Sequence, residues 1–140
     1  MLKQKPHFGE IWMCHLTDRS GSVQNGYRPV FVISNDKNNT YSNTFNIIPI
    51  TSKFNKRNLP VHVVLLNYWL YGLGEPSTIL VEQTTTVGIN CLDKRIGKII
   101  DKNILLEISK AMMIQFPIFS LGWINIKILT KTENVVIMGV

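Results

Sequence analysis

The sequence predicts a mainly-β domain: a small barrel-like sheet followed by one late helix. Three observations carry this prediction. The first two-thirds of the chain is a series of short segments rich in Val, Ile and Phe, separated by polar turns. The strongest helical periodicity falls late, over residues 101–116. The length, 140 residues with 45% hydrophobic, suits one domain with its own core, without disulfides or a structural metal.

Residues 9–16 form a first strand with the apolar body Ile11, Trp12, Met13, Cys14 and Leu16. Residues 17–26 are polar, hold Gly21 and Gly26, and read as a loop of about ten residues, a length that marks functional loops. Residues 28–34 give a second strand, β-branched and short. Residues 35–43 are dense in Asn, Asp and Ser and read as a turn, because these side chains bond to nearby backbone. Residues 44–50 are a third strand, 51–59 a polar connection, 60–66 a fourth strand and 77–83 a fifth, which 84–87 continues after a bend. In the helix, Ile104, Leu105, Ile108, Met112 and Phe116 repeat at helical spacing; Asp101 caps it, and Pro117 and Gly122 end it. Residues 123–140 alternate and suggest a hairpin around 132–134. There is no internal repeat or domain boundary, so 1–140 is read as a single domain.

The formal net charge is +6, spread over Lys53–Lys56–Arg57, Lys94–Arg95–Lys98, Lys127–Lys131 and the N-terminal lysines. Such an excess suits a polyanion, through counterion release, and equally suits a solvated basic surface. Cys14 and Cys91 are far apart and read as free buried thiols in a reducing compartment. No apolar signal segment opens the chain and no apolar run is long enough to span a bilayer, so a cytoplasmic protein away from membranes is expected. Three scattered His and two Cys give no metal-ligand spacing, and no phosphate cradle or nucleophile elbow is present, so neither metal nor cofactor is expected.

The chemistry is carried by residues 21–36. A Gly/Ser/Gln loop leads to Arg28 at the mouth of an apolar strand, and Pro29 biases Arg28 toward extended backbone. A planar cationic fork held at a sheet rim suits a phosphate. On physics alone, an arginine that snorkels or pairs with a surface carboxylate is the plainer reading.

Four segments change that balance: Gly9-Glu10-Ile11-Trp12 leading to Gly21-Ser22-Val23-Gln24-Asn25-Gly26-Tyr27-Arg28-Pro29-Val30; Pro49-Ile50-Thr51-Ser52; Leu59-Pro60-Val61-His62-Val63; and Ser77-Thr78-Ile79-Leu80-Val81-Glu82-Gln83. In this order and spacing they resemble the conserved blocks of the MazF/PemK toxins over about residues 7–116, leaving 122–140 as an extension. The resemblance implies an SH3-like barrel of the CcdB/PemK-like toxin fold with a C-terminal helix, usually a homodimer. It implies a toxin of a type II toxin–antitoxin system that cuts single-stranded RNA at short sequences, without a metal. In that chemistry the 2′-hydroxyl attacks the adjacent phosphate and leaves 2′,3′-cyclic phosphate and 5′-hydroxyl ends. Arg28 matches the family's catalytic arginine and Thr51 its catalytic threonine. Ser22 and Gln24 match loop positions that contact RNA or gate the site, and Gln83 and Asn35 are candidate base contacts from the sheet. The implied partner is a cognate antitoxin whose acidic, disordered segment lies across the toxin.

Tyr27, Phe54 and Trp69 are candidate stacking residues, with core or dimer packing the favoured role for each. His62 reads as a satisfied sheet histidine; His15, beside the loop, is the weaker candidate for proton transfer. Val23 stands where the family usually has Glu, Leu80 where some members carry a catalytic Arg, and Thr84–Thr86 where an Arg commonly follows. The loss of the loop Glu keeps a second reading open, a toxin on the same fold that binds nucleic acid or gyrase without cutting.

Overall fold

The computed structural model describes residues 3–17, 20–53 and 59–122. Phe54 and the expected 132–134 hairpin lie outside them. Seven strands run in the order β1 (Glu10–Leu16), β2 (Gly26–Val32), β3 (Thr44–Thr51), β4 (His62–Leu65), β5 (Ser77–Leu80), β6 (Thr85–Gly88) and β7 (Leu92–Lys98). A short helix α1 (Asp36–Tyr41) separates β2 from β3, and α2 (Lys102–Gln115) follows β7. All pairings are antiparallel, in the order β4-β5-β3-β2-β1-β7, with β6 also on β3.

Register explains why the central strands are apolar on both faces. Ile11 pairs with Phe31, and Phe31 with Ile48. These three point into a core shared with Val63, Ile79 and the α2 residues Ile108 and Ala111. One residue along, Trp12 pairs with Val30, and these enter a second core with Phe45, Ile47 and Val87. A strand covered on both faces reads as a continuous apolar run rather than an alternation. Pro49 fits because β6 pairs with β3 only as far as Ile47 and β5 only from Ile50, so the missing N–H falls where the partner changes.

The sheet is mainly β with a C-terminal helix, as expected, but hydrogen bonds do not close it into a barrel. β4 and β7 end the path and share no ladder among the described residues. Backbone contact joins the two ends instead. A Cβ on Gly72, in the turn after β4, would lie 1.8 Å from the Ile96 carbonyl oxygen of β7. A Cβ on Gly97 would lie 1.9 Å from the Tyr71 carbonyl oxygen. Gly72 also sits at φ +78°, which disfavours any side chain.

Two local expectations are corrected, and one strand was not foreseen. Residues 35–43 contain helix α1 rather than a turn alone: the Asn35 side chain accepts from the Asn38 N–H at 2.8 Å, a capping bond that starts a helix. The fifth strand stops at Leu80, with a 3-10 turn over Val81–Gln83 where strand was expected. β7 had no sequence signal because Asp93, Lys94 and Arg95 face solvent. The helix expectation holds: Asp101 caps α2 by accepting from Asn103 N–H at 2.9 Å, and helix resumes at 118–122 beyond Pro117.

Candidate active site

Arg28 lies on β2 opposite Cys14 of β1, half-buried. Its Nε donates to the Asn25 carbonyl at 2.7 Å, which anchors the guanidinium to the end of the loop. Among the described residues no carboxylate pairs with it. It lines a cavity of about 460 Å³ with Tyr27, Ser52, Glu75, Ser77 and Lys94. Arg28 is neither turned into the core nor neutralised, so the guanidinium's outer N–H groups face an open, hydrogen-bonding space.

Thr51 ends β3 and is 4% exposed. Its Oγ1 accepts from the Lys53 N–H at 3.2 Å, which leaves the hydroxyl proton free to donate. Val30–Pro49 is the last pair of the β2–β3 ladder, and Arg28 and Thr51 each lie two residues beyond it on their own strands. Thr51 nevertheless lines a second cavity, of about 280 Å³, with Ser22, Gln24, His62, Glu82 and Gln83. Four of the six residues expected at the site therefore meet in one cavity, and Arg28 lines the other.

Gln83 holds the loop in place. Its Oε1 accepts from the Gln24 N–H at 2.7 Å, and its Nε2 donates to the Ser22 carbonyl at 3.5 Å. The loop that precedes Arg28 is thus tied to the 3-10 turn after β5. Asn35 stands apart: it caps α1 beyond the opposite end of β2 and lines neither cavity.

The His62 side chain is 5% exposed, and its Nε2 lies 2.8 Å from Glu82 Oε1, so it is a satisfied sheet histidine that also borders the Thr51 cavity. His15 packs against Tyr27, ring centroids 4.7 Å apart, and faces a separate cleft with Thr85 and Cys91. Tyr27 and Trp69 are 46% and 62% exposed, so neither is a core residue. The Tyr27 hydroxyl donates to Asp93 of β7, and this bond, with some burial and the charge of Asp93, raises its pKa. Cys14 is buried and Cys91 half-buried, and neither forms a disulfide.

Sequence reasoning missed Glu82, Lys53 and Lys94 as site-lining residues. Glu82 had a signal, since it directly precedes Gln83. Lys94 had none, because β7 itself was not foreseen. Among the described residues no three of His, Cys, Asp and Glu stand close enough to hold a metal, and no helix is long and apolar enough to cross a membrane.

Comparisons with known proteins agree with this architecture. The family model described as PemK-like, MazF-like toxin of type II toxin-antitoxin system matches residues 7–116. The chain is 34% identical over 113 residues to Endoribonuclease MazF of Staphylococcus saprophyticus, covering 81% of this chain and 92% of that protein. Its fold is similar to MazF of Deinococcus radiodurans (TM-score 0.65, 20% identity, 79% of this chain and 94% of that one). It is similar also to a mycobacterial endoribonuclease solved in complex with its cognate antitoxin (TM-score 0.62, 18% identity, 80% and 95%). The match spans the loop, Arg28, Thr51 and Gln83 together, and the chain therefore belongs to the PemK-like, MazF-like toxins of type II toxin–antitoxin systems.

Proposed function

We propose that this toxin is a sequence-specific endoribonuclease that cuts single-stranded RNA without a metal. The observation that carries the reading is the guanidinium of Arg28, anchored through Nε, paired with no carboxylate among the described residues and lining an open cavity. The nucleophile is supplied by the substrate. The ribose 2′-oxygen loses its proton and bonds to the adjacent phosphorus, the bond from phosphorus to the 5′-oxygen breaks, and that oxygen gains a proton. The ends are a 2′,3′-cyclic phosphate and a 5′-hydroxyl. Negative charge builds on the phosphorane in between, and several donors from one fixed cationic fork stabilise it more than they stabilise the starting diester. Thr51 donates its hydroxyl to a phosphate oxygen. Ser22, Gln24 and Gln83 line the path of the RNA beside it.

An antitoxin with an acidic, disordered segment fits a chain of net charge +6, since a flexible polyanion tracks the same surface as RNA. Assembly as a homodimer in the cytoplasm completes this reading.

The test is incubation of purified protein with synthetic single-stranded RNA in EDTA, followed by mass spectrometry of the ends. Cyclic phosphate and 5′-hydroxyl ends are expected from the wild type. Arg28→Ala, folded by circular dichroism, should cut at least ~100-fold more slowly, the effect of removing a principal charge-stabilising donor. Cleavage that requires added divalent metal, or that survives Arg28→Ala, overturns the mechanism. RNA binding without cut ends favours the non-cleaving toxin.

A further inference from the structure

The cavity beside Thr51 contains two polar atoms that the protein leaves without a partner. Glu82 Oε2 and Gln24 Oε1 are both buried, and neither accepts a hydrogen bond among the described residues. Both residues line the same space of about 280 Å³. The other oxygen of Glu82 is already taken by His62 at 2.8 Å, and Gln24 is held from behind by its backbone N–H bond to Gln83 at 2.7 Å. The Glu82 side chain is therefore positioned by His62 and the Gln24 backbone by Gln83, while one side-chain oxygen on each residue is left over. A buried acceptor without a donor is costly, and more so when it belongs to a carboxylate, so such atoms mark where a ligand's donors belong.

We propose that this cavity is a base-recognition subsite that selects a nucleobase bearing an exocyclic amino group (adenine, cytosine or guanine) and rejects uracil, with Glu82 as its specificity-determining residue. An amino group carries two hydrogens, one for each waiting oxygen. Uracil offers a single N–H flanked by carbonyl oxygens, and a carbonyl turned toward the Glu82 carboxylate meets repulsion with no bond in return. Glu82 carries the argument, because a carboxylate oxygen only accepts, whichever way the Gln24 amide is turned. The cavity volume is at the small end of ligand clefts, which suits one splayed base rather than a whole nucleotide. His62 has a defined part here: by occupying Oε1 it reduces Glu82 to one free acceptor and fixes where that acceptor points.

The proposal rests on the nuclease reading only in taking a single-stranded nucleic acid as the ligand. Its test uses 2′-deoxy oligonucleotides, which lack the attacking hydroxyl and are not cut. Fluorescence anisotropy with labelled dA, dC and dU octamers is measured for the wild type, Glu82→Gln and Gln24→Leu. Glu82→Gln keeps an acceptor for His62 but presents an amide in place of a carboxylate; Gln24→Leu keeps the backbone bond to Gln83 and removes the second acceptor. The wild type should bind dA or dC about 5- to 100-fold more tightly than dU, the discrimination of one good base contact. Each variant should lose most of that preference and bind the three strands with similar affinity. Equal or tighter binding of dU by the wild type, or a preference that survives in both variants, overturns the proposal; a cavity filled by water alone gives the first of these results. If Glu82→Gln fails to fold, the wild-type series and Gln24→Leu still decide. RNA cut in EDTA together with base-blind binding sinks the subsite alone, whereas amino-base preference without cutting sinks the nuclease alone.

Discussion

At Arg28 the shape of the cation matters as much as its charge. Nε is committed to the Asn25 carbonyl, and the planar guanidinium keeps a fixed fork of outer N–H groups for a phosphate, a geometry that the point-like ammonium of lysine does not reproduce. Arg28→Lys should therefore fail to restore cleavage, staying within about tenfold of Arg28→Ala, and single-turnover rates on a short RNA check it. Thr51→Val removes a hydroxyl that accepts from Lys53 N–H, so stability should fall by about 0.5–1.5 kcal/mol, read by urea unfolding, while the cleavage rate falls tenfold or more. The tyrosines predict an alkaline limb. Tyr27 is raised above 10.0 by its bond to Asp93, and Tyr71 by burial and then the charge of Asp101. Between the ordinary and the raised values the folded chain keeps protons that the unfolded chain has lost. The stabilisation is thus whole below pH 10 and is lost as pH rises through the folded pKa values. Urea midpoints measured from about pH 9 to 11 should decline, less steeply for Tyr27→Phe. Arg28, Thr51, Ser22, Gln24 and Gln83 were legible because short blocks of sequence place them. The free oxygen of Glu82 was not, because it depends on where His62 puts its ring across a strand pair.

Among the elements, α2 was legible almost to the residue, since a capping Asp101, a helical apolar repeat and Pro117 all act locally. Asp101→Ala should lower stability by about 1 kcal/mol, seen as a drop in Tm. β7 was illegible for the opposite reason: its pairing to β1 is long-range, it is interrupted by irregular register, and its middle residues face water, so no period of two survives in the sequence. Helix α1 was misread because Asn is a turn former and a helix cap by the same bond, and only the following residues decide which results. Gly72→Ala belongs at this scale. It forces a Cβ into the Ile96 carbonyl at a positive φ, and Tm should fall by 10 °C or more, on the order of several kcal/mol. Gly74→Ala, with nothing within 4 Å, should leave Tm nearly unchanged.

For the molecule as a whole, charge sets the affinity scale. With a net +6, binding of a single strand should weaken steeply with salt; four neutralised phosphates would give a log–log slope of about −3. Anisotropy titrations of an uncut deoxy strand between about 50 and 300 mM salt measure it, and a slope near zero would mean that the basic surface takes no part in binding. The glycine contact has a different reach. Gly72 touches the carbonyl beside Gly97, and Gly97 touches the carbonyl beside Gly72, so a side chain at either position pushes the same two backbones apart. Whichever substitution comes first makes room for the second, and the double variant should be far less impaired than the sum of the singles. Genetically the coupling is one-sided: a lineage that has lost Gly72 is released from keeping Gly97, whereas Gly72 stays bound by its positive φ.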